Sequence, residues 1–163
     1  MALVITQREG TGALARALAA QARRGDVILL SGEVGAGKTT FAQDFIHALI
    51  GDVEVTSPTF TLRHDYDLPA GGALVHLDLY RIEHPGELVE LGLDDVYDTA
   101  ISLIEWPERM GSDLPKEYLC LRFEIAQDER RNITFVASHT WKDRVKEIED
   151  ACIREAGAYV SAK

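Results

Sequence analysis

The chain has 163 residues, 46% hydrophobic and 27% charged, which predicts one globular domain spanning residues 1–163. Its formal net charge of −10 disfavours tight direct binding to DNA or RNA, because proteins that hold nucleic acid present basic surfaces. No apolar run approaches the ~20 residues that cross a bilayer, and the N-terminus lacks a signal-peptide core. These features predict a cytoplasmic protein that binds neither DNA nor a membrane.

The first part of the sequence predicts a helix, a strand, a glycine-rich loop and a second helix. Thr6 and Glu9 have the spacing of a capping box, which predicts a helix through the alanine-rich segment that follows, up to Gly25. The apolar run VILLS, from Val27 to Ser31, predicts a buried strand. After the loop, TTFAQDFIHALI predicts a helix that ends at Gly51.

The remaining segments predict two hairpins and two more helices. EVTSPTFTLRHDYDL and ALVHLDLYRI form an extended pair across the turn PAGG, and YLCLRFEIA and NITFVAS form another across QDERR. PGELVELGLDDVYDTA predicts a helix, ISLIEW a buried strand, and the segment from Thr140 to Val160 a final amphipathic helix. Two hairpins exclude an all-parallel sheet, so the predicted fold is an α/β sandwich with a mixed sheet.

The glycine-rich loop GEVGAGKTT fits G-x-x-x-x-G-K-[ST], which cradles nucleotide phosphates. Its glycines let backbone N–H groups turn towards phosphate oxygens, and the next helix adds the positive end of its dipole. Lys38 can reach the β- and γ-phosphates, and the Thr39 hydroxyl suits Mg²⁺. The fold is therefore expected to be P-loop NTPase-like, a mixed parallel/antiparallel sheet flanked by helices. The predicted phosphate-binding residues are Gly32, Glu33, Val34, Gly35, Ala36, Gly37, Lys38, Thr39 and Thr40.

A phosphate loop also requires a carboxylate to hold Mg²⁺ opposite Thr39, and the sequence offers two. Glu105 ends an apolar strand, where ligands of α/β sheets gather. Asp78 lies in LVHLDLYR, where it shares one strand face with His76 and Tyr80, while apolar residues occupy the other face. That polar face either looks onto a nucleotide cleft or belongs to a half-solvated strand. His76 and Asp78 are predicted to form a hydrogen-bonding pair rather than a zinc site.

Other residues give weaker indications of the chemistry. Thr59, in SPTF, either senses a γ-phosphate or belongs to an ordinary turn. Arg63 and Arg81 are candidates to neutralise transition-state charge. The sequence has no N-K-x-D triplet to read guanine, no lid typical of small-molecule kinases and no glutamine near the loop to position water. This combination predicts slow hydrolysis, with another component completing the site.

Four segments in this order, GEVGAGKTTF, SPTFTL, HLDLYRI and ELGLDDVYDTAISLIEWPE, resemble the TsaE family. These are bacterial ATPases of the pathway that makes tRNA threonylcarbamoyladenosine beside the anticodon. The resemblance implies a single P-loop ATPase domain that binds ATP and Mg²⁺, with Thr39 and Glu105 on the metal. It places Asp78 at the metal or attacking-water side, Thr59 near the γ-phosphate and Arg131 beside the nucleotide.

The resemblance also implies an adenine-proximal segment and a protein partner. The segment from Thr6 to Thr11 is expected to approach the adenine, and Trp106 either packs or contacts the ligand. In the family, a TsaB–TsaD complex transfers the threonylcarbamoyl group, and the ATPase binds that complex and keeps it turning over. The expected activity is thus a Mg²⁺-dependent ATPase, weak alone and partner-stimulated, that meets tRNA only through the complex. A small-molecule kinase and a non-catalytic, nucleotide-dependent docking module remain the alternatives.

Overall fold

A computed structural model describes residues 2–126 and 130–163. The strands and helices in chain order are β1 (Ala2–Ile5), α1 (Arg8–Gln21), β2 (Val27–Ser31), α2 (Lys38–Ile50), β3 (Arg63–Asp67), β4 (Ala73–Asp78), α3 (Leu93–Thr99), β5 (Ala100–Glu105), β6 (Leu119–Ile125), β7 (Arg131–Ala137), α4 (Lys142–Ala156) and β8 (Val160–Ala162). Short 3₁₀ helices occupy Pro85–Leu91, Pro107–Met110, His139–Trp141 and Gly157–Tyr159.

The strands form a single mixed sheet in the order β3-β4-β5-β2-β6-β7-β1-β8. Its centre is parallel, because β5 pairs with β4 and β2, and β2 pairs with β6, all in the same direction. The strands at the two sides are antiparallel. The predicted α/β fold with a mixed sheet flanked by helices is therefore confirmed.

Two hydrophobic cores lie on opposite faces of the sheet. Strand β2 contributes Ile28 and Leu30 to one core and Val27 and Leu29 to the other, as the alternation of a strand requires. Helix α1 packs against α2 and α4 over the first core, and α3 packs on β5 over the second. Both faces of the central strands are covered, which explains why VILLS reads as a continuous apolar run. None of the described helices is long and apolar enough to cross a membrane.

Both predicted hairpins are present, with differences at their margins. Strands β3 and β4 pair antiparallel, as do β6 and β7. The predicted turn QDERR includes Gln127, Asp128 and Glu129, which lie outside the described residues. Residues 58–62, expected to be extended, form a turn, and the helix predicted from Pro85 divides at Gly92 into a 3₁₀ helix and α3.

Strands β1 and β8, near the two ends of the chain, are not predicted by the sequence. Strand β1 pairs with β7 on one side and with β8 on the other, so the predicted final helix ends at Ala156. The capping box was also wrong. The Thr6 hydroxyl donates to the carbonyl oxygen of Tyr159 at 3.3 Å, and Gln7 is the N-cap of α1. Thr6 is thus used by the contact between the chain ends instead of by the helix.

Candidate nucleotide-binding site

The predicted phosphate loop lies between the carboxyl end of β2 and the first residue of α2. Gly32 has φ +138°, and a Cβ at this position would overlap the carbonyl oxygen of Phe123. Gly37 has φ +108° and is the N-cap of α2. Both positions require a backbone that only glycine adopts readily. The loop thereby leads into a 13-residue helix whose first N–H groups have no intrahelical acceptor and can bind an anion.

A cleft of about 370 Å³ opens beside this loop and brings most of the predicted residues together. Thr59, Asp78 and Glu105 line it together with Lys38, Thr39 and Thr40 of the loop motif. Gly32, Glu33 and Ala36 do not line it. The carbonyl oxygens of Gly32 and Glu33 accept hydrogen bonds from Lys38, and Ala36 is buried. The lining residues are Val34, Gly35, Gly37, Lys38, Thr39, Thr40, Thr59, Asp78, Tyr80, Glu105 and Trp106.

Glu105 connects the sheet to the phosphate loop. Its side chain is 1% exposed, and its Oε2 accepts a hydrogen bond from Thr39 Oγ1 at 3.0 Å. Its Oε1 lies 2.9 Å from Nε2 of His76, which is fully buried in β4. The structure thus joins a loop hydroxyl, a strand-end carboxylate and a histidine from the neighbouring strand.

One expectation about β4 was wrong, and one of the two alternatives left open for its polar face is excluded. His76 does not pair with Asp78, because residues two apart in a strand are separated by a full pleat, whereas the neighbouring strand brings Glu105 within reach. The strand is not half-solvated either, since Leu74 to Asp78 are all buried. The contact could have been predicted by pairing the two strands in parallel, which places HLD of β4 beside the glutamate that ends β5.

Asp78 lies directly opposite Glu105 in the register of β4 and β5, at the carboxyl ends of two parallel strands. Its Oδ2 accepts a hydrogen bond from Thr59 Oγ1 at 2.7 Å, and its Oδ1 accepts one from the Tyr80 N–H at 3.0 Å. Asp78 is 4% exposed. Two buried carboxylates side by side repel each other, so this end of the sheet favours a cation.

Lys38 is the buried cation of the cleft. Its ammonium donates to the carbonyl oxygens of Gly32 and Glu33, the latter at 2.8 Å, and lies 4.1 Å from the ring centroid of Trp106. Burial lowers the pKa of Lys38, against the opposing effect of nearby carboxylates, of which Glu105 acts most strongly. A desolvated ammonium held by neutral carbonyls gains from a phosphate oxygen in their place.

Trp106 forms one wall of the cleft. It follows β5 directly and has φ +61°, an uncommon conformation for a non-glycine residue. Its backbone N–H donates to the Leu30 carbonyl at 3.2 Å. Its ring lies 5.1 Å from that of Tyr80. The residue therefore packs against an aromatic neighbour and faces the ligand cleft as well.

A second cavity, of about 630 Å³, lies on the other side of the phosphate loop. Gly35, Gly37 and Thr40 line both cavities, so the loop separates them. Arg131 borders the second cavity, and its Nε donates to the Ala36 carbonyl at 3.1 Å. Most of the segment expected near the adenine also lines it: Thr6, Gln7, Arg8 and Thr11.

The two arginines considered for transition-state charge point to other partners. Arg63 forms an ion pair with Asp65 and donates to the Leu91 carbonyl. The guanidinium of Arg81 stacks 5.5 Å from the ring centroid of Phe60. Neither arginine lines the cleft.

Comparison with known proteins assigns the part of the chain that contains this site to a protein family. Residues 5–133 match the family model described as threonylcarbamoyl adenosine biosynthesis protein TsaE. The chain belongs to the TsaE family. The resemblance carried by the four sequence segments is therefore confirmed, and the region matched to TsaE includes the phosphate loop, both carboxylates and Arg131.

Individual TsaE relatives extend over most of the chain. A protein of Bacillus subtilis (strain 168), named tRNA threonylcarbamoyladenosine biosynthesis protein TsaE, is 41% identical over 79% of this chain and 80% of its own. A protein of the same name from Rickettsia bellii (strain RML369-C) is 34% identical over 80% of this chain and 92% of its own. The crystal structure of Bacillus subtilis YdiB superposes with a TM-score of 0.77 at 33% identity, covering 92% of this chain and 94% of that one.

Proposed function

We propose that this TsaE family member takes part in tRNA threonylcarbamoyladenosine biosynthesis as a Mg²⁺-dependent ATPase that acts on the TsaB–TsaD complex. Relatives named as biosynthesis proteins of this nucleoside support the pathway. The observation that carries the ATPase activity is the 3.0 Å hydrogen bond between Thr39 and Glu105. It joins the phosphate loop to a buried strand-end carboxylate, the pair of groups that holds Mg²⁺ in P-loop NTPases.

The residues at this point fit a magnesium ion. Thr39, Glu105 and Asp78 offer a hydroxyl and two carboxylates, and Mg²⁺ prefers oxygen ligands. The two carboxylates are buried and adjacent, so a divalent cation offsets their mutual repulsion. In this proposal Thr39 and Glu105 hold the ion, with Asp78 beside it. Bound Mg²⁺ supplies neutralisation of charge on the phosphate oxygens.

The ATP is proposed to occupy both cavities that the loop separates. Its phosphates lie in the first cavity, where Lys38 exchanges its carbonyl partners for phosphate oxygens and the first N–H groups of α2 donate to them. Its nucleoside lies in the second, between Arg131 and the segment from Thr6 to Thr11. Shared lining by Gly35, Gly37 and Thr40 supports one ligand that spans both.

Asp78 and Thr59 are proposed to act at the γ-phosphate end of the cleft. Thr59 approaches the γ-phosphate, while the Asp78 carboxylate accepts a hydrogen bond from the attacking water and orients it. The position of Thr59 depends on the SPTF loop, whose Phe60 is 84% exposed. A partner protein that covered Phe60 would fix the position of this loop and of Thr59. Without such a partner we expect slow hydrolysis.

Three exposed hydrophobic residues around the cleft support a protein partner. Val34, Phe60 and Tyr80 belong to or adjoin the loops that line the cleft, and a group of exposed apolar side chains is typical of an interaction site. The net charge of −10 supports contact with tRNA through a partner complex instead of directly. TsaB–TsaD is the partner that the family membership suggests.

Phosphate release from ATP by the purified chain tests this proposal. We expect slow release alone, faster release with the TsaB–TsaD complex of the same organism, and none when EDTA removes Mg²⁺. Glu105→Gln and Asp78→Asn should each reduce the stimulated rate by roughly 100-fold, the scale of losing one catalytic or metal-holding group. Asp94→Asn, which changes an exposed acid of α3 outside the cleft, is the matched control.

Two other results would replace the proposal. ATP consumption matched by a phosphorylated compound, with no free phosphate, would indicate a small-molecule kinase. Hydrolysis that is equally slow in the wild type, Glu105→Gln and Asp78→Asn, with normal ATP binding and no response to TsaB–TsaD, would indicate a docking module that uses ATP as a structural ligand.

A further inference from the structure

We propose that His76 is a positioning residue that fixes the carboxylate of Glu105 for metal binding. The inference rests on the proposed function, because it concerns the same Mg²⁺ site. The contact is short and dry: His76 Nε2 lies 2.9 Å from Glu105 Oε1, and the two side chains are 0% and 1% exposed. A hydrogen bond excluded from water holds its partners more firmly than an exposed one.

The strand register explains how His76 reaches Glu105. In the parallel pairing of β4 with β5, Asp78 lies opposite Glu105 and His76 lies opposite Leu103. His76 is therefore one pleat behind Asp78 on the same face, diagonal to Glu105, and an imidazole spans that distance. Through this register β4 provides both the second carboxylate of the site and the donor that holds the first.

The hydrogen-bonding pattern of the ring indicates what the residue does. An ionised carboxylate only accepts, so we assign the ring proton to Nε2. The Nδ1 atom is buried and has no partner among the described residues, whichever of its two roles, donor or acceptor, it takes. Burying a ring nitrogen without a hydrogen-bond partner costs free energy, and a histidine that only filled the core would have no compensating contact. Here the Nε2 contact with Glu105 offsets the cost.

The contact matters most when the metal binds. The two donors to Glu105 among the described residues are Thr39, on Oε2, and His76, on Oε1. Thr39 Oγ1 would hold Mg²⁺ through an oxygen lone pair, and Oε2 would have to face the same ion, so the hydrogen bond between them would no longer set the orientation of the carboxylate on its own. The terminal torsion of a glutamate is broad, so the carboxylate would rotate unless Oε1 stayed held. His76 keeps Oε2 directed at the loop, and its effect should therefore fall on Mg²⁺ and not on metal-free nucleotide binding.

Three substitutions separate this role from simple packing. His76→Gln places an amide nitrogen near the position of Nε2, His76→Asn places one near Nδ1, and His76→Leu fills the space without a donor. The readout is the affinity for a fluorescent ADP analogue, first in EDTA and then across a Mg²⁺ titration, with thermal unfolding followed in parallel. We expect the Mg²⁺ midpoint to stay near wild type in the Gln variant. It should rise roughly 10-fold or more in the Asn and Leu variants, with EDTA affinity unchanged.

Each outcome either supports the positioning role or overturns it. Asn and Leu variants that keep the wild-type Mg²⁺ midpoint, even with lower thermal stability, would reduce His76 to a packing residue. Equal shifts in the Gln and Asn variants would do the same, and this comparison stands even if His76→Leu does not fold. In a Glu105→Gln background, His76→Asn should cause no further shift; an added shift of full size would show that it does not act through Glu105. If the affinity of the wild type for the ADP analogue did not depend on Mg²⁺, the proposed metal site itself would be refuted.

Discussion

Thr59 Oγ1 lies 2.7 Å from Asp78 Oδ2, which ties the SPTF loop to the carboxyl end of β4. The same loop carries Phe60, whose ring contacts the Arg81 guanidinium on one side and is 84% exposed. The hydrogen bond from Thr59 couples the position of this loop to the orientation of a buried carboxylate. A partner that moved the loop would act directly on Asp78.

Thr59→Val removes the hydroxyl and keeps the shape of the side chain. We expect the partner-stimulated rate of ATP hydrolysis to fall by roughly 10-fold or more, because Oδ2 of Asp78 loses its donor, while nucleotide affinity changes little. Steady-state phosphate release with TsaB–TsaD present, followed over a range of ATP concentrations, gives the maximal rate and the ATP concentration at half of that rate. Thr59→Ser should retain most of the rate. Thr61→Val, which breaks a hydrogen bond between the same turn and His64 of β3, is the control, and an equal loss there would mean that only loop order matters.

Lys38→Met should weaken ATP binding by roughly 100-fold or more while raising thermal stability in the absence of nucleotide. Charge-assisted bonds to phosphate are lost, which accounts for the affinity. The lowered pKa of Lys38 means that the fold disfavours the charged amine, and methionine still packs against Trp106. Calorimetric titration and thermal unfolding measure the two effects. The exposed Lys142→Met is the control, and unchanged ATP affinity in Lys38→Met would contradict the assigned role of the loop.

The two tryptophans should report nucleotide binding very differently. Trp106 lies 4.1 Å from the Lys38 ammonium in the cleft, whereas Trp141 is buried beneath the guanidinium of Arg144, outside the cleft. In Trp141→Phe, Mg²⁺–ATP should change the emission of the remaining indole, because the ammonium leaves the ring for the phosphates. In Trp106→Phe the same titration should leave emission constant. A response carried by Trp141 would show that nucleotide changes the packing around α4 instead.

Local patterns predicted the centre of the site because each was complete within a few residues. The apolar run VILLS, the glycine spacing and the helix after it gave β2, the loop and α2, with α2 ending before Gly51 as predicted. The family resemblance placed Asp78 and Glu105 at one site, and the parallel pairing of β4 with β5 brings them together, since carboxyl ends of parallel strands meet at one edge.

The features that escaped prediction depend on distant parts of the chain. Strands β1 and β8 are short, and β1 pairs with β7 more than a hundred residues away, so neither has a strong local signal. Thr6 has the spacing of a cap, yet its partner is Tyr159. The contact of His76 with Glu105 depends on the register between β4 and β5, which the sequence of either strand alone does not fix.

Asp26 and Arg144 form a nearly buried ion pair whose loss should affect stability and leave the nucleotide site intact. Nη1 and Nη2 of Arg144 donate to the Asp26 carboxylate, at 2.7 and 2.8 Å, at the amino end of β2, away from the phosphate loop. Asp26→Ala leaves the buried guanidinium unpaired, so the free energy of unfolding should fall by about 3 kcal/mol in urea denaturation. Glu155→Ala, which breaks the exposed pair with Arg16, should cost under ~1 kcal/mol. Equal losses, or a weaker ATP affinity in Asp26→Ala, would contradict this separation of stability from binding.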